Sequence, residues 1–178
     1  MSKTTNIILI LLLLFIILII KISFTDPKIK DGKYTFAVIT KFKLKAGSGE
    51  NSVFTYSVNN KKYSFWGFYN KTLIIGDKFQ LLYDKTNPNK SIIFPEKPIF
   101  LKDEKIKSYF ATVIRIKKYR KKQVHFKYYI NNKEYTRIQY LPDSFSIKSD
   151  SILNRKYRII YWSENPQRSI IFLDKPVK

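Results

Sequence analysis

One stretch of this chain occurs twice. Gly76 to Ile99 reads GDKFQLLYDKTNPNKSIIFPEKPI and Asn154 to Val177 reads NRKYRIIYWSENPQRSIIFLDKPV; a constant offset of 78 aligns them without a gap, and 10 of the 24 positions are identical. The identities in the first copy are Lys78, Tyr83, Asn87, Pro88, Ser91, Ile92, Ile93, Phe94, Lys97 and Pro98. A long repeat of this kind means that one supersecondary unit is built twice and buries its apolar surface partly against its neighbour. A length of 178 residues then divides into two small modules. A module of about 70 residues buries only about 60% of its unfolded surface, so each copy is expected to lean on its twin. An aromatic content of 16% compensates, because a buried Phe or Tyr removes a large area from water.

The charge is lopsided: 34 Lys and Arg stand against 13 Asp and Glu, a formal net charge of +21. Such a surface attracts anionic partners. The competing source of the charge is A/T-rich base composition, which favours Lys, Ile, Asn, Phe and Tyr codons over those for acids. No cysteine is present. Disulfides, thiol catalysis, cysteine metal sites and lipid attachment at cysteine are thereby excluded.

Near the start, Ile7 to Ile20 is an unbroken apolar run, IILILLLLFIILII. As a helix it covers about 21 Å, short of the roughly 30 Å of a bilayer core, and extension to Phe24 with Lys21 snorkelling closes most of the gap. A cleaved signal peptide is the rival, but the exit Lys21-Ile22-Ser23-Phe24-Thr25 lacks an Ala-x-Ala site. The expectation is an uncleaved, single-pass transmembrane anchor over residues 1–25. Lys21, Lys28, Lys30 and Lys33 after the run argue for a cytoplasmic body. The layout of a short basic start before an apolar core argues for export, and an extracytoplasmic body is expected on that ground.

Beyond the connector Asp26 to Gly32, short runs of β-branched and aromatic residues alternate with turn signals. In the first module these are Tyr34 to Leu44, Val53 to Val58, Tyr63 to Tyr69, Lys78 to Tyr83 and Ser91 to Phe94. In the second they are Tyr109 to Ile116, Val124 to Ile130, Tyr135 to Leu141, Lys156 to Tyr161 and Ser169 to Phe172. Asn59-Asn60 and Asn131-Asn132 are placed to make two-residue hairpin turns, since Asn tolerates the left-handed backbone they need. The fold class expected is mainly β: two tandem small five-stranded barrel-like modules, residues 33–99 and 108–178, joined by a charged linker at Phe100 to Lys107.

These motifs resemble a family of bacterial membrane-associated proteins of unknown function, whose pattern runs Tyr-x-Val-x-Gly-x-x-Tyr and later Tyr-Asp-Pro-x-Asn-Pro. Tyr56, Val58, Tyr63, Gly76, Tyr83, Asp84, Asn87 and Pro88 match in the first copy, and Tyr128, Ile130, Tyr135, Tyr161, Asn165 and Pro166 in the second. Asn60 and Asn132 replace the turn Gly, Lys85 the first Pro, and Trp162 the Asp. The resemblance implies a membrane-tethered β domain and brings no activity or catalytic residue.

Four features bear on function. Asn87-Pro88 and Asn165-Pro166 are expected to set turns and strand register rather than to bind. Lys117, Lys118, Tyr119, Arg120, Lys121 and Lys122 make one hairpin tip strongly basic, where the first copy carries Ala46-Gly47-Ser48-Gly49-Glu50, with no base among them. That tip suits phosphate or carboxylate groups, with a solvated loop as the plain alternative. Phe65, Trp66, Phe68 and Tyr69 form the densest aromatic patch. Burial in a core or between modules is expected for most of it, yet strand alternation sends Phe65 and Trp66 to opposite faces and leaves Trp66 a candidate contact. No catalytic, metal or cofactor residues are expected, because His125 is the sole histidine and no nucleophile, phosphate-loop or paired-carboxylate pattern occurs.

The function expected is that of a membrane-anchored, non-enzymatic binding or scaffold protein whose basic surface meets an anionic partner: an acidic protein, a lipid headgroup or a glycan. An immunity-type role toward an acidic toxin falls in this class. The alternatives are a tandem-barrel protein binding single-stranded nucleic acid and a structural subunit of a membrane complex.

Overall fold

The computed structural model describes residues 29–45, 49–118, 121–146 and 151–177; the expected anchor at residues 1–25 lies outside the described residues. Among the described residues, no helix is long and apolar enough to cross a membrane. The strands are β1 (Gly32–Lys45), β2 (Gly49–Val58), β3 (Lys61–Gly67), β4 (Lys78–Asp84), β5 (Ser91–Pro98), β6 (Ile106–Lys117), β7 (Gln123–Ile130), β8 (Lys133–Tyr140), β9 (Lys156–Trp162) and β10 (Asn165–Pro176). They form two five-stranded antiparallel sheets, ordered β3-β2-β1-β4-β5 and β8-β7-β6-β9-β10. The same order in both confirms that the duplicated unit is the whole sheet.

Register and turn chemistry repeat as well. Ala37 faces Phe79 and Ala111 faces Tyr157, and each first strand shifts register two residues later, between Ile39 and Lys41 and between Val113 and Arg115. Both Asn-Asn pairs have positive φ at both residues, 48° and 62° in one copy and 51° and 60° in the other, as a type I′ hairpin turn requires. Before the fourth strand, Gly76 (φ 93°) and Asn154 (φ 60°) take equivalent left-handed positions, and each donates its N–H to a first-strand carbonyl, Ile39 or Val113. Asn can replace Gly there because it is one of the few side chains that visits this region readily.

Each sheet has its own core. Ala37, Ile39, Phe54, Tyr56, Phe79, Leu81 and Tyr83 build the first; Ala111, Val113, Val124, Phe126, Tyr128, Tyr157, Ile159 and Ile171 build the second. A tyrosine at the matching place in each core explains the repeated Asn-Pro. The Tyr56 hydroxyl donates to the carbonyl of Pro88, and the Tyr128 hydroxyl donates to that of Pro166 at 2.6 Å while standing 2.9 Å from Ser169 Oγ. In each copy the proline carbonyl is left pointing at the core tyrosine. Burial pushes the Tyr128 hydroxyl up to about 12, so it stays a donor at any ordinary pH. Tyr128→Phe is expected to cost about 1–2 kcal/mol in urea unfolding, since it removes the bonds to the half-buried Pro166 carbonyl and the buried Ser169 hydroxyl; no loss would mean that the Asn-Pro segment holds itself.

In one respect the second copy departs from expectation. Asn165 and Pro166 belong to β10 and not to a separate turn, with the pairing to β9 broken between Asn165 and Ser169. Proline has no N–H for the ladder, so the strand runs on past a local irregularity.

The two sheets differ at their edges. The second curls into a half-barrel in which Gln139 bridges β8 to β10 like an extra peptide group: its Oε1 accepts from Ile171 N at 2.9 Å and its Nε2 donates to Ile171 O at 3.2 Å. Gly67 holds the matching position in the first sheet, because a Cβ there would meet the Phe54 ring at 2.6 Å. The first sheet therefore has no such bridge, and its β5 lies against β8 of the second.

The modules are joined by a polar interface. Residues 68–77, between β3 and β4, pack on β8: Phe68 meets Tyr140 edge-on at 5.2 Å, Ile138 N donates to Thr72 Oγ1 at 2.9 Å, and Arg137 Nη2 lies 3.0 Å from both Asp77 carboxylate oxygens. The linker is not the solvated spacer its charge suggests. Glu104 binds Lys78 of β4 and Arg168 of β10 at once, and Leu101 N donates to its other oxygen at 2.7 Å.

Candidate functional site

The net charge lies outside these contacts. Asp77, Asp84 and Glu104 are the acids drawn into the described interior, and Arg137, Arg168 and the largely buried Lys78 are the bases, so three of each sign cancel there. The surplus of +21 is left to exposed side chains and the N-terminal segment. Its field is set by the surface and not by unpaired groups within.

The basic tip closes the β6–β7 hairpin. Lys117, Lys118 and Lys121 are exposed there, while Tyr119 and Arg120 lie outside the described residues. Lys122 acts structurally. Its amino group donates to the carbonyls of Asp143 and Phe145, the second at 3.0 Å, and so ties the hairpin to the segment after β8. Between the hairpin and that segment lies a cavity of about 200 Å³, floored by Ile116, Leu141 and Phe145, with Lys118, Lys122 and Ser146 around it. An apolar floor under a cationic rim suits an anionic group carried on an apolar stem. Beside the tip, His125 stays neutral at physiological pH: burial depresses its pKa, and Lys117, Arg115 and Lys71 depress it further.

The aromatic patch divides as strand alternation requires. Phe65 stacks on Phe54 at 5.5 Å and Phe68 is taken into the module interface, but Trp66 is 52% exposed with Lys43 Nζ 5.5 Å from its ring centre. The two registers give this exposure a meaning. Val53 pairs with Trp66 as His125 pairs with Ile138, so Trp66 and Ile138 are equivalent positions in the two copies. Ile138 is buried, 8% exposed, with its N–H bonded to Thr72 of the other module. Trp66 holds the same place on β3 with its face open.

Sequence reasoning singled out Trp66 and the basic tip as candidate contacts and did not single out Asp77, Glu104, Arg137 and Arg168, whose ion pairs join the modules. A signal for two of them lies in the repeat, at positions where the copies differ most. Arg137 replaces Phe65, and Arg155 replaces Asp77. A charge in one copy opposite an apolar or opposite-charged residue in the other marks a contact made only once.

No protein-family model and no curated protein matches the chain. The resemblance drawn from the sequence is carried by its short motifs alone.

Proposed function

We propose that this chain is a membrane-anchored, non-enzymatic binding protein: a transmembrane helix carrying two barrel-like modules that hold an anionic partner in the bacterial envelope. The observation that supports it best is the β6–β7 tip, which carries exposed Lys117, Lys118 and Lys121 beside an apolar-floored cavity rimmed by Lys118 and Lys122, where the matching tip of the first copy has no base in Ala46 to Glu50. A duplicated module that gains a basic tip on one side has acquired a contact its twin does not make. The partner fitting this chemistry is an acidic protein or an anionic amphiphile, and an immunity-type role toward an acidic toxin belongs to the same class.

The test is capture of envelope proteins and of anionic phospholipid vesicles across a salt series. Lys117→Gln, Arg120→Gln and Lys121→Gln are made together, leaving Lys122 to its carbonyls. Capture and its salt sensitivity are expected to fall together, because each exposed contact is screened beyond about 10 Å at moderate salt. Unchanged capture would remove the tip from the binding surface. Binding of a single-stranded oligonucleotide with a steep salt slope would move the reading to the nucleic-acid alternative.

A further inference from the structure

We propose that the open edge of β3, centred on Trp66, takes an acidic peptide segment as an added strand. This surface is separate from the basic tip and belongs to the other module.

Among the described residues the first sheet ends at β3, which pairs with β2 alone. The matching strand of the second module, β8, shows what such an edge is used for in this fold. There the Ile138 N–H, turned away from β7, donates to a hydroxyl of the neighbouring module, and Arg137 and Tyr140 hold that neighbour on either side. Equal register turns the Trp66 N–H, and that of Ser64 two residues before it, to the open side of β3. Hydrogen bonds from these groups would fix an extended backbone, as in other strand additions. A large indole where the twin has a smaller isoleucine supplies area for a partner that the second module does not meet.

The chemistry of the occupant follows from what flanks the edge. Lys41, Lys43, Lys61 and Lys62 are exposed on this part of the sheet, and the nearby acid, Glu50, accepts from the Tyr69 hydroxyl. Lys61 and Lys62 on β3 itself repel a second copy of the same edge, and Lys41 and Lys43 reach over the sheet from β1, Lys43 to the Trp66 ring, so self-pairing is disfavoured and an acidic strand is selected. Ser64 continues a hydroxyl row with Thr55 at 2.9 Å and Thr40 beyond it at 3.1 Å, which places hydroxyls beside the Trp66 anchor.

The experiment uses the full chain in detergent and a labelled synthetic peptide of alternating Glu and Val, read by fluorescence anisotropy. Two control peptides replace Glu with Lys or N-methylate alternate backbone nitrogens. Trp66→Thr keeps a strand-forming residue at an exposed position and is expected to weaken binding about tenfold, the loss typical of a central aromatic anchor. N-methylation is expected to cost at least about fivefold through lost backbone hydrogen bonds. The Lys peptide should not bind. Equal binding of the N-methylated peptide would overturn strand addition, and an unaffected Trp66→Thr chain would overturn the site. Tighter binding of an oligothymidine than of the Glu peptide, lost with Trp66→Thr, would also overturn the proposal by assigning the edge to stacked bases.

Discussion

Replacing Arg137 with Ala is expected to lower the free energy of unfolding by about 3–5 kcal/mol, the cost of leaving a buried charge without its partner. Arg137 is 5% exposed and Asp77 2% exposed. The guanidinium directs one nitrogen to both Asp77 oxygens and the other to the carbonyl of Thr72, while the carboxylate also accepts from Ile74 N at 2.9 Å. Removing either side chain therefore abandons a desolvated ion, and Asp77→Asn should cost nearly as much as Arg137→Ala. The double variant Asp77→Asn with Arg137→Met keeps the turn bond to Ile74 and removes both charges. It is expected to recover most of the loss, since an apolar replacement of a whole buried pair is commonly neutral. Urea unfolding read by Trp fluorescence measures both, because Trp66 reports on the first module and Trp162 on the second. In the native chain the two signals should move together; in Arg137→Ala they should separate. A loss below about 1 kcal/mol would place the pair among ordinary surface ion pairs and leave the modules to be held by packing alone.

That pair also shows where the sequence was readable and where it was not. The ten strands follow local rules: β-branched and aromatic runs such as Tyr34 to Leu44, Asn-Asn turns, and a repeated offset under which both sheets take the same order. The split of Phe65 from Trp66 follows from strand alternation in the same way. The docking of one module on the other does not, because it depends on which copy departs from the shared pattern. Arg137 reads as one more surface cation among 34 basic residues, and only its pairing opposite Phe126 sets it beside the core. Glu104 reads as part of a charged linker, since nothing in the run Lys102-Asp103-Glu104-Lys105 distinguishes the one acid that turns inward. Charge committed to tertiary contacts looks, in a sequence, like charge facing water.

Glu104 supplies the other large effect, and its signature is a dependence on pH. Burial alone would raise its pKa, but the guanidinium of Arg168, the ammonium of Lys78 and the N–H of Leu101 overcome burial and hold it from an ordinary 4.5 down to about 2. Arg168 is itself pinned, with its Nη2 3.0 Å from both Ile99 O and Glu104 Oε2 and its guanidinium 4.5 Å from the Phe100 ring. A carboxyl whose pKa is lower in the folded chain stabilises it fully above the unfolded value. That contribution fades as the pH falls from 4.5 toward 2, where the unfolded chain binds the proton first. The shift corresponds to a contribution on the order of 3 kcal/mol at neutral pH. Glu104→Gln should remove it. Asp84, lowered by its bond from the Thr86 hydroxyl, and His125, lowered by burial, give their own losses in acid, and both remain in the variant. The decisive quantity is thus the difference between native and Glu104→Gln unfolding free energies. It is expected to stay constant above about pH 5 and to shrink steadily below the ordinary carboxyl pKa. A difference that ignores pH would mean that Glu104 contributes shape and hydrogen bonds but no charge, and that the two modules are not joined through its ions.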